Sequence, residues 1–196
     1  MTLLLASKSA ARAMILKGAG VAFETVSAGV DEAALKAAAL AKGETPKRIA
    51  EILAQAKAVA ASKGSLALTI GADQTLELDG LLFDKAETLG EASENLKTLR
   101  GRTHRLHSAV ALAQDGLTIW RDVQTASLTM RDFSNAFADR YLVQNADAAL
   151  ACVGGYELEG EGVQLFSAID GDYFTILGLP ILPLLAELRR LELIPA

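Results

Sequence analysis

Hydrophobic residues recur along this chain with two periods, one typical of strands and one typical of helices. Short runs that are almost wholly apolar cover residues 3–6 and 66–70 and predict strands of a buried sheet, and residues 23–27 are a further strand candidate. Further strand-like segments come in pairs around an Asp-Gly dipeptide, which is a strong hairpin signal. The three predicted hairpins join 75–78 to 81–83, 104–113 to 117–130, and 163–169 to 173–177.

Helical periodicity lies between these segments and starts at residues that cap helices well. The predicted helices cover residues 9–17, 45–63, 91–100, 134–144 and a terminal amphipathic stretch around 181–188. Ser9, Thr45 and Ser134 are the predicted caps, and Pro46 suits the first position of the long Ala-rich helix. Hairpins mixed with helices predict a mixed α/β or α+β fold rather than a purely doubly wound one.

The composition is that of a folded globular chain. With 196 residues, 51% of them hydrophobic and 22% charged, it can bury a core as one large domain or as two small lobes. No apolar stretch reaches the roughly 20 residues that a membrane helix needs, and the longest contains Pro180 and Pro183. No basic residue precedes the first apolar run, so we expect no signal peptide and no membrane partner.

Charge and cysteine content narrow the expected partners and compartment. A net charge of −5 argues against broad affinity for nucleic acid. The single cysteine, Cys152, excludes an intramolecular disulfide and fits a reducing cytoplasm, where we expect the protein to reside. Its neighbours Ala151 and Val153 favour packing over a nucleophilic role. The oligomeric state stays open, with a homodimer as one alternative.

The segment most informative about chemistry is Gly71-Ala72-Asp73-Gln74. It follows directly on the apolar run 66–70, so we expect Asp73 near the carboxyl end of a buried strand, where open α/β sheets bind ligands. A carboxylate there costs desolvation energy unless a cation, a metal or a hydrogen-bond donor meets it. Asp73 is therefore either the catalytic centre or a structural residue that caps the junction between strand and turn.

A candidate anion site lies at residues 7–12, which join the first predicted strand to the first predicted helix. Backbone N–H groups of the helix N-terminus, the hydroxyls of Ser7 and Ser9, and the cations of Lys8 and Arg12 converge there, which suits a phosphate. The alternative is an ordinary capped helix with a solvated lysine.

Standard phosphate and metal motifs do not occur in the sequence. It contains no G-x-x-x-x-G-K-[ST], no complete dinucleotide fingerprint, no H-E-x-x-H and no paired C-x-x-C. His104 and His107 lie three residues apart in a strand-like segment, so their side chains should point to opposite faces, which is poor geometry for a metal pair.

Eight short motifs follow one another along almost the whole chain. They are LASKSAAR at 5–12, VDE at 30–32, AKA at 56–58, GADQ at 71–74, Lys85, LRGRTH at 99–104, GEG at 160–162 and GLP at 178–180. In this order and spacing they resemble the Maf family of nucleoside triphosphate pyrophosphatases. The resemblance implies a two-lobed fold like that of inosine triphosphate pyrophosphatases, with a central mixed sheet, an interlobe cleft and residues 1–196 as a single domain.

The same resemblance implies a reaction. Such enzymes hydrolyse a nucleoside triphosphate between its α and β phosphates with the help of a divalent cation, Mg²⁺ or Mn²⁺. At the matching positions, Asp73 would be the general base, Glu32 and Asp73 would hold the metal, and four residues would grip the triphosphate. Those four are Ser7, Arg12, Lys57 and Lys85. Without the resemblance, Lys57 would be a solvated residue of an Ala-rich helix and Glu32 a first-turn charge that favours the helix dipole.

Two motifs indicate the preferred base. Gln74 in G-x-D-Q and Glu159 in E-G-x-G resemble the branch that acts on 7-methyl-GTP, whereas G-x-D-T and I-Q-G resemble enzymes for dTTP and UTP. A carboxylate suits 7-methylguanine because its N1–H and N2 amine donate hydrogen bonds. The chain departs from the family where Ala10 replaces a Pro, Ala11 an aromatic residue that could stack on the base, and Ala13 an Arg.

Two alternatives therefore stay beside 7-methyl-GTP hydrolysis. One is a dTTP or UTP pyrophosphatase. The other is a nucleotide-binding regulator with eroded activity, in a family that is also linked to septum formation.

Overall fold

The computed structural model describes residues 2–195, in which strands and helices are interspersed along the chain. The strands in this range are β1 (Leu3–Ala6), β2 (Glu24–Thr25), β3 (Leu68–Leu78), β4 (Leu81–Phe83), β5 (Thr103–Gln114), β6 (Leu117–Met130) and β7 (Phe166–Asp170). The α-helices in the same range are α1 (Ala10–Gly18), α2 (Glu32–Ala41), α3 (Pro46–Ser62), α4 (Leu89–Leu99), α5 (Asn135–Gln144), α6 (Ala146–Ala151), α7 (Tyr173–Ile176) and α8 (Ile181–Arg190). A short 3₁₀ helix covers Glu161–Leu165.

The strands form a mixed sheet. They pair in the order β2-β1-β3-β5-β6-β7, and β4 pairs with β3. β1 is parallel to β2 and β3, whereas β4 is antiparallel to β3 and β7 is antiparallel to β6. The predicted mixed α/β class with a central mixed sheet is confirmed. Across residues 2–195, no helix combines the length and hydrophobicity that a membrane crossing requires.

The chain divides into two compact units. The first comprises Met1–Gln74, His107–Gln124 and Asp172–Ala196, and the second comprises Thr75–Leu106 and Thr125–Gly171. The first unit therefore holds β1, β2, the helices α1 to α3, and the C-terminal helices α7 and α8. The second unit holds β4, α4 to α6, the 3₁₀ helix and β7. The chain passes from one unit to the other within β3, β5 and β6, and again between β7 and α7.

Two different cores cover the two faces of the sheet in the first unit. Large aliphatic side chains, including Leu5, Ile70 and Leu112, pack with α1 and α8 on one face. Small side chains pack on the other face: Ala50, Ala54 and Ala58 of α3 with Ala109, Ala111 and Ala113 of β5. Because alanine occupies both sides of this second interface, α3 lies close to the sheet, which brings the polar residues of α3 near β3.

Gly71 on β3 makes this close approach possible. A Cβ atom at position 71 would overlap the carbonyl oxygen of Ala54 and lie 2.5 Å from the amide nitrogen of Ala58. Any side chain there would push α3 off the sheet. The glycine of the GADQ motif is therefore required by packing, two residues before Asp73.

The predicted position of Asp73 at a strand end is wrong. β3 does not stop after residue 70 but continues without interruption from Leu68 to Leu78, so Asp73 lies in its interior. The sequence interpretation separated the strand 66–70 from the hairpin strand 75–78, because Gly, Asp and Gln are uncommon in central strands. Here the close packing of α3 accounts for Gly71, and ion pairing accounts for Asp73.

The third predicted hairpin is also wrong. Residues 163–165 belong to the 3₁₀ helix, and only Phe166–Asp170 is a strand, which pairs with β6. The segment Tyr173–Ile176 is helical because Asp172 caps it: the Asp172 Oδ2 atom accepts from the Thr175 amide at 2.8 Å. Aromatic and β-branched residues favour a strand there, but the cap and the surrounding packing decide otherwise.

The other helices show where capping signals worked and where they failed. Ser9, Thr45 and Ser134 each accept a hydrogen bond from the backbone at the start of a helix, as predicted. The helix expected at 91–100 starts earlier, because Thr88 caps it. The helices α2 and α6 were not among the predicted segments, and the strand expected at 23–27 is only Glu24–Thr25.

Candidate functional site

The centre of the candidate site is a buried ion pair between β3 and α3. The Lys57 Nζ atom lies 2.7 Å from the Asp73 Oδ1 atom, and the two side chains are 8% and 12% exposed. Asp73 shares the α3 face of the sheet with Gly71, because alternate residues of a strand point the same way. The ion pair compensates the cost of burying either charge alone.

Glu32 extends this pair to a chain of three charges. Its Oε2 atom lies 2.8 Å from the Lys57 Nζ atom, and its side chain is 54% exposed. Glu32 is the first residue of α2, which Asp31 caps through a hydrogen bond to the Ala34 amide. We call this arrangement the Glu32–Lys57–Asp73 chain. It has one cation between two carboxylates, so it carries a net negative charge and is open to solvent at Glu32.

The two carboxylates suit a hard divalent cation. No group of three or more His, Cys, Asp or Glu residues that could hold a metal occurs within residues 2–195. Mg²⁺, however, commonly takes only one or two protein carboxylates and completes its shell with water and substrate phosphates. Glu32 and Asp73, already held around one cation by Lys57, fit that requirement.

Arg12 occupies a buried position on α1, and its guanidinium points into the protein. Its Nε atom donates to the Gly178 carbonyl at 2.8 Å, and its Nη1 atom donates to the Ala72 carbonyl at 2.8 Å and to the Ser7 hydroxyl at 3.2 Å. Burial lowers the pKa of Arg12, and the negative charges of Asp73 and Glu32 oppose that shift. The recorded bonds of this side chain use Nε and Nη1, which leaves the two N–H groups of Nη2 for a ligand.

The loop before α1 has the features of the predicted anion site. The Ser7 hydroxyl accepts from the Ser9 amide at 3.3 Å, and the Ser9 hydroxyl accepts from the Arg12 amide at 3.4 Å. A cavity of about 400 Å³ adjoins this loop. It is lined by Ser7, Lys8, Ser9, Ala10, Ala13, Thr25, Val26 and Ser27. Lys8 is exposed, in accord with the solvated lysine of the alternative interpretation, whereas Arg12 is only 9% exposed.

Gln74 points to the opposite face of β3 from Asp73. Its Nε2 atom donates to the Ser108 hydroxyl at 2.9 Å and to the carbonyls of Thr175 at 3.1 Å and Ile176 at 2.9 Å. The structure therefore ties this residue to β5 and to α7. Its predicted part in base preference stays a prediction.

Lys85 and Glu159 lie in the second unit, and both are exposed. Both act electrostatically on the Cys152 thiol: burial, together with Glu157 and Glu159, raises its pKa to about 11, and Lys85 opposes that shift. Cys152 is thus protonated at neutral pH, which is the unreactive form of a cysteine. The loop that carries Glu159 is tight, because a Cβ atom at Gly162 would overlap the Glu157 carbonyl oxygen.

Of the predicted site residues, the first unit brings together Ser7 with Arg12, and Glu32 with Lys57 and Asp73. Ala11 is half-buried in the first turn of α1 and offers only a methyl group where a ring was expected in the family. Lys57 and Glu32 are not isolated surface charges, since both belong to the chain centred on Asp73.

Comparison with known proteins assigns the chain to a family. The family model described as Maf-like protein matches residues 2–191. The chain belongs to the Maf family.

The curated relatives of this Maf chain match over nearly their full length. A protein of Caulobacter vibrioides named nucleoside triphosphate pyrophosphatase is 60% identical over 94% of this chain and 93% of its own. A Brucella abortus protein named 7-methyl-GTP pyrophosphatase is 52% identical over 96% of this chain and 95% of its own. A solved nucleoside-triphosphatase, dITP/XTP pyrophosphatase of Mycobacterium abscessus, aligns with 100% of this chain and 98% of its own at a TM-score of 0.41 and 15% identity.

Sequence reasoning missed three groups that the Maf chain places around Arg12 and Gln74. Ser108 is fully buried, yet a serine in a strand carries no signal of its own. The carbonyls of Ala72 and Gly178 are backbone atoms, whose roles no side-chain pattern reveals. The sequence offers only an indirect signal for these carbonyls: Ala72 belongs to the GADQ motif and Gly178 to the GLP motif.

Proposed function

We propose that this Maf chain is a nucleoside triphosphate pyrophosphatase, which hydrolyses the bond between the α and β phosphates to give a monophosphate and pyrophosphate. The observation that carries the proposal is the Glu32–Lys57–Asp73 chain, which sets a buried carboxylate and an ammonium side by side in the same unit as the Ser7 loop. The names of relatives that are 60% and 52% identical support the same reaction.

Asp73 is the proposed general base. Its carboxylate accepts a proton from the attacking water, the water oxygen bonds to the α-phosphorus, and the bond from that phosphorus to the bridging oxygen breaks. Pyrophosphate then leaves with the electron pair of that bond. Lys57 orients the Asp73 carboxylate through their ion pair, and its flexible ammonium can also meet a phosphate oxygen.

The triphosphate needs cations, because water attacks phosphorus against nearly four negative charges. Arg12 offers its Nη2 atom, and Ser7, which accepts from the Arg12 Nη1 atom, offers a hydroxyl that lines the 400 Å³ cavity. The proposed contact of Lys85 with the triphosphate rests on the position of this residue among the ordered motifs. A divalent cation held by Glu32 and Asp73 would supply charge neutralisation at the phosphates and lower the pKa of bound water.

The proposed substrate is 7-methyl-GTP. Ionised Glu159 offers acceptors only, which suits the two donors of the guanine edge, and the Brucella relative carries that substrate in its name. The roles of Glu159 and Gln74 in base preference rest on their positions in the E-G-x-G and G-x-D-Q motifs. The alternative substrates are dTTP and UTP. The second alternative is a regulator that binds nucleotides without turnover. The observation that favours it is that Ala10 and Ala13 line the cavity, where they offer no charge to a phosphate.

A panel of canonical and modified triphosphates tests the proposal. Each is incubated with the protein and Mg²⁺ or Mn²⁺, and pyrophosphate release is measured beside nucleotide binding. We expect release from 7-methyl-GTP with the highest kcat/KM. Nucleotide binding without pyrophosphate release supports the regulator. A protein that shows no binding and no release contradicts the proposal.

A further inference from the structure

Ser108 and Gln74 form a small hydrogen-bonded cluster with the end of α7. The Ser108 hydroxyl donates to the Thr175 carbonyl at 2.6 Å and accepts from the Gln74 Nε2 atom at 2.9 Å. Ser108 is 0% exposed and Thr175 is 1% exposed. The Gln74 amide adds bonds to the carbonyls of Thr175 and Ile176. We call the bonds of Ser108 and Gln74 to these two carbonyls the α7 tether.

The tether fixes the orientation of the Gln74 amide. Its nitrogen faces three oxygen atoms, two of which are carbonyls that can only accept. A flipped amide would place its own oxygen against these carbonyls, so only one of its two orientations is satisfied. A threonine at this position, as in the other Maf branch, is too short to offer an equivalent amide.

The segment that the tether holds, α7, has little regular secondary structure of its own to keep it in place. α7 is a single turn of four residues, Tyr173–Ile176, and such short helices are not stable alone. Asp172 satisfies its N-terminus through the Thr175 amide at 2.8 Å. The tether adds side-chain donors to its last two carbonyls, and the Thr175 carbonyl also accepts from the Gly178 amide at 3.1 Å, which links the tether to Gly178.

Two residues beyond α7, Gly178 connects this segment to the site. Its φ angle is +96°, a conformation that favours glycine, and its carbonyl accepts from the Arg12 Nε atom at 2.8 Å. The same guanidinium donates to the Ala72 carbonyl, directly before Asp73. The direction in which Arg12 presents its Nη2 atom therefore depends on where the segment 175–178 lies.

We propose that Ser108 and Gln74 are positioning residues that act on catalysis through Arg12. This rests on the proposed pyrophosphatase function. The α7 tether holds the Gly178 carbonyl at the place where it orients the guanidinium, and neither side chain needs to touch the substrate for that role. Without the tether, Arg12 keeps its charge but its guanidinium loses a fixed direction. Misplacement of a group that binds the substrate costs roughly tenfold to a hundredfold in rate.

Kinetics of the Ser108→Ala variant test the proposal, because this change removes one buried hydroxyl and adds nothing. We expect kcat/KM for 7-methyl-GTP to fall at least about tenfold. Ser167→Ala is the matched control, since its hydroxyl donates to the Thr129 carbonyl at 3.2 Å in the other unit, and its kcat/KM should equal that of the wild type. Gln74→Met, which keeps the length but loses the donors, serves as a second tether variant.

A double-mutant cycle separates positioning from general damage. In an Arg12→Lys background, Ser108→Ala should change kcat/KM less than twofold, because the guanidinium it orients is already gone. A merely structural role of Ser108 would lower kcat/KM by the same factor in both backgrounds, and that result would overturn the proposal while leaving the pyrophosphatase function intact.

A readout without turnover tests the same claim in the protein alone. Hydrogen exchange of the Arg12 Nε–H, followed by NMR, should be at least about tenfold faster in Ser108→Ala and Gln74→Met than in the wild type. The Arg131 Nε–H, which donates to the Gln164 carbonyl at 2.6 Å, is the internal reference. Unchanged Arg12 exchange in both variants would overturn the tether itself. Faster exchange in the two variants, together with a wild-type protein that hydrolyses no triphosphate, would instead reject the proposed function and keep the tether.

Discussion

The Lys57 ammonium lies 2.7 Å from the Asp73 carboxylate, and both side chains are nearly buried. The pair is not symmetric. Lys57 has a second carboxylate partner, since its Nζ atom lies 2.8 Å from Glu32, whereas Asp73 forms its ion pair with Lys57. This asymmetry decides what each substitution should do to stability and to activity.

Asp73→Asn should abolish most of the turnover and spare the fold. The amide keeps the shape of the side chain and can still accept from Lys57, and Glu32 keeps the ammonium paired, but the amide cannot take a proton. We expect kcat to fall by roughly 10²–10⁴ with the melting temperature nearly unchanged. Turnover close to that of the wild type would remove Asp73 from the role of general base.

Lys57→Met provides the contrast to that variant. It leaves the Asp73 carboxylate buried without its cation, and removing one partner of a buried pair costs about 3–5 kcal/mol. Denaturant unfolding should therefore show a large loss of stability for Lys57→Met and a small one for Asp73→Asn. Equal losses would contradict the asymmetric pairing.

Lys85→Ala should weaken catalysis to the same extent for every nucleobase, because the triphosphate is common to all substrates. Lys85 is exposed, so its loss should leave the unfolding transition in place. Comparison of kcat/KM for 7-methyl-GTP, dTTP and UTP checks this, with the exposed Lys42→Ala as control. A changed base preference at undiminished rate would show that Lys85 does not serve the phosphates.

Glu159→Gln should lower activity on 7-methyl-GTP and raise it on dTTP or UTP. A carboxylate offers acceptors to a purine edge with two donors, whereas an amide matches a pyrimidine edge better. An unpaired polar edge is worth about 1–3 kcal/mol, enough for a tenfold change in the ratio of kcat/KM values. Glu161→Gln, the same change two positions along, is the control. If both variants give the wild-type ratio, Glu159 does not read the base.

His104 should make the stability depend on pH. Burial lowers its pKa to about 4, from the ordinary 6.5, while its Nε2 atom shares a hydrogen bond with the Tyr156 hydroxyl at 2.6 Å. Because the unfolded chain then binds a proton that the folded chain does not, this contribution is complete above pH 6.5 and decreases as the pH falls toward 4. The loss should reach about 3 kcal/mol.

Urea unfolding of the wild type and His104→Gln between pH 7 and pH 4 measures that contribution. The variant keeps a partner for Tyr156 but has no imidazole, so it should lose less stability than the wild type as the pH falls. Parallel curves for the two proteins would show that His104 is not the group responsible.

Local features of this fold could be predicted from the sequence, and features set by distant contacts could not. The caps at Ser9, Thr45 and Ser134 depend on neighbouring backbone and were predicted correctly. The uninterrupted course of β3 through Asp73 depends on α3, and the helical turn at Tyr173–Ile176 depends on its cap and on its packing.

The same distinction holds for the candidate site. Asp73, Lys57 and Glu32 were named from ordered motifs, and the structure shows Lys57 in direct contact with both carboxylates. Ser108 could not be found this way, because its bond to Thr175 joins residues 67 positions apart. The orientation of Arg12 toward two backbone carbonyls was equally hidden, since the sequence shows only a cation beside a helix N-terminus.

The position of bond cleavage tests the central claim most directly. The wild-type protein is incubated with 7-methyl-GTP and Mg²⁺ in water enriched in ¹⁸O, and the products are identified by ³¹P NMR and mass spectrometry. The account predicts equal amounts of 7-methyl-GMP and pyrophosphate, with the ¹⁸O atom in the monophosphate because water attacks the α-phosphorus. Release of orthophosphate and 7-methyl-GDP, or ¹⁸O in the pyrophosphate, would contradict it.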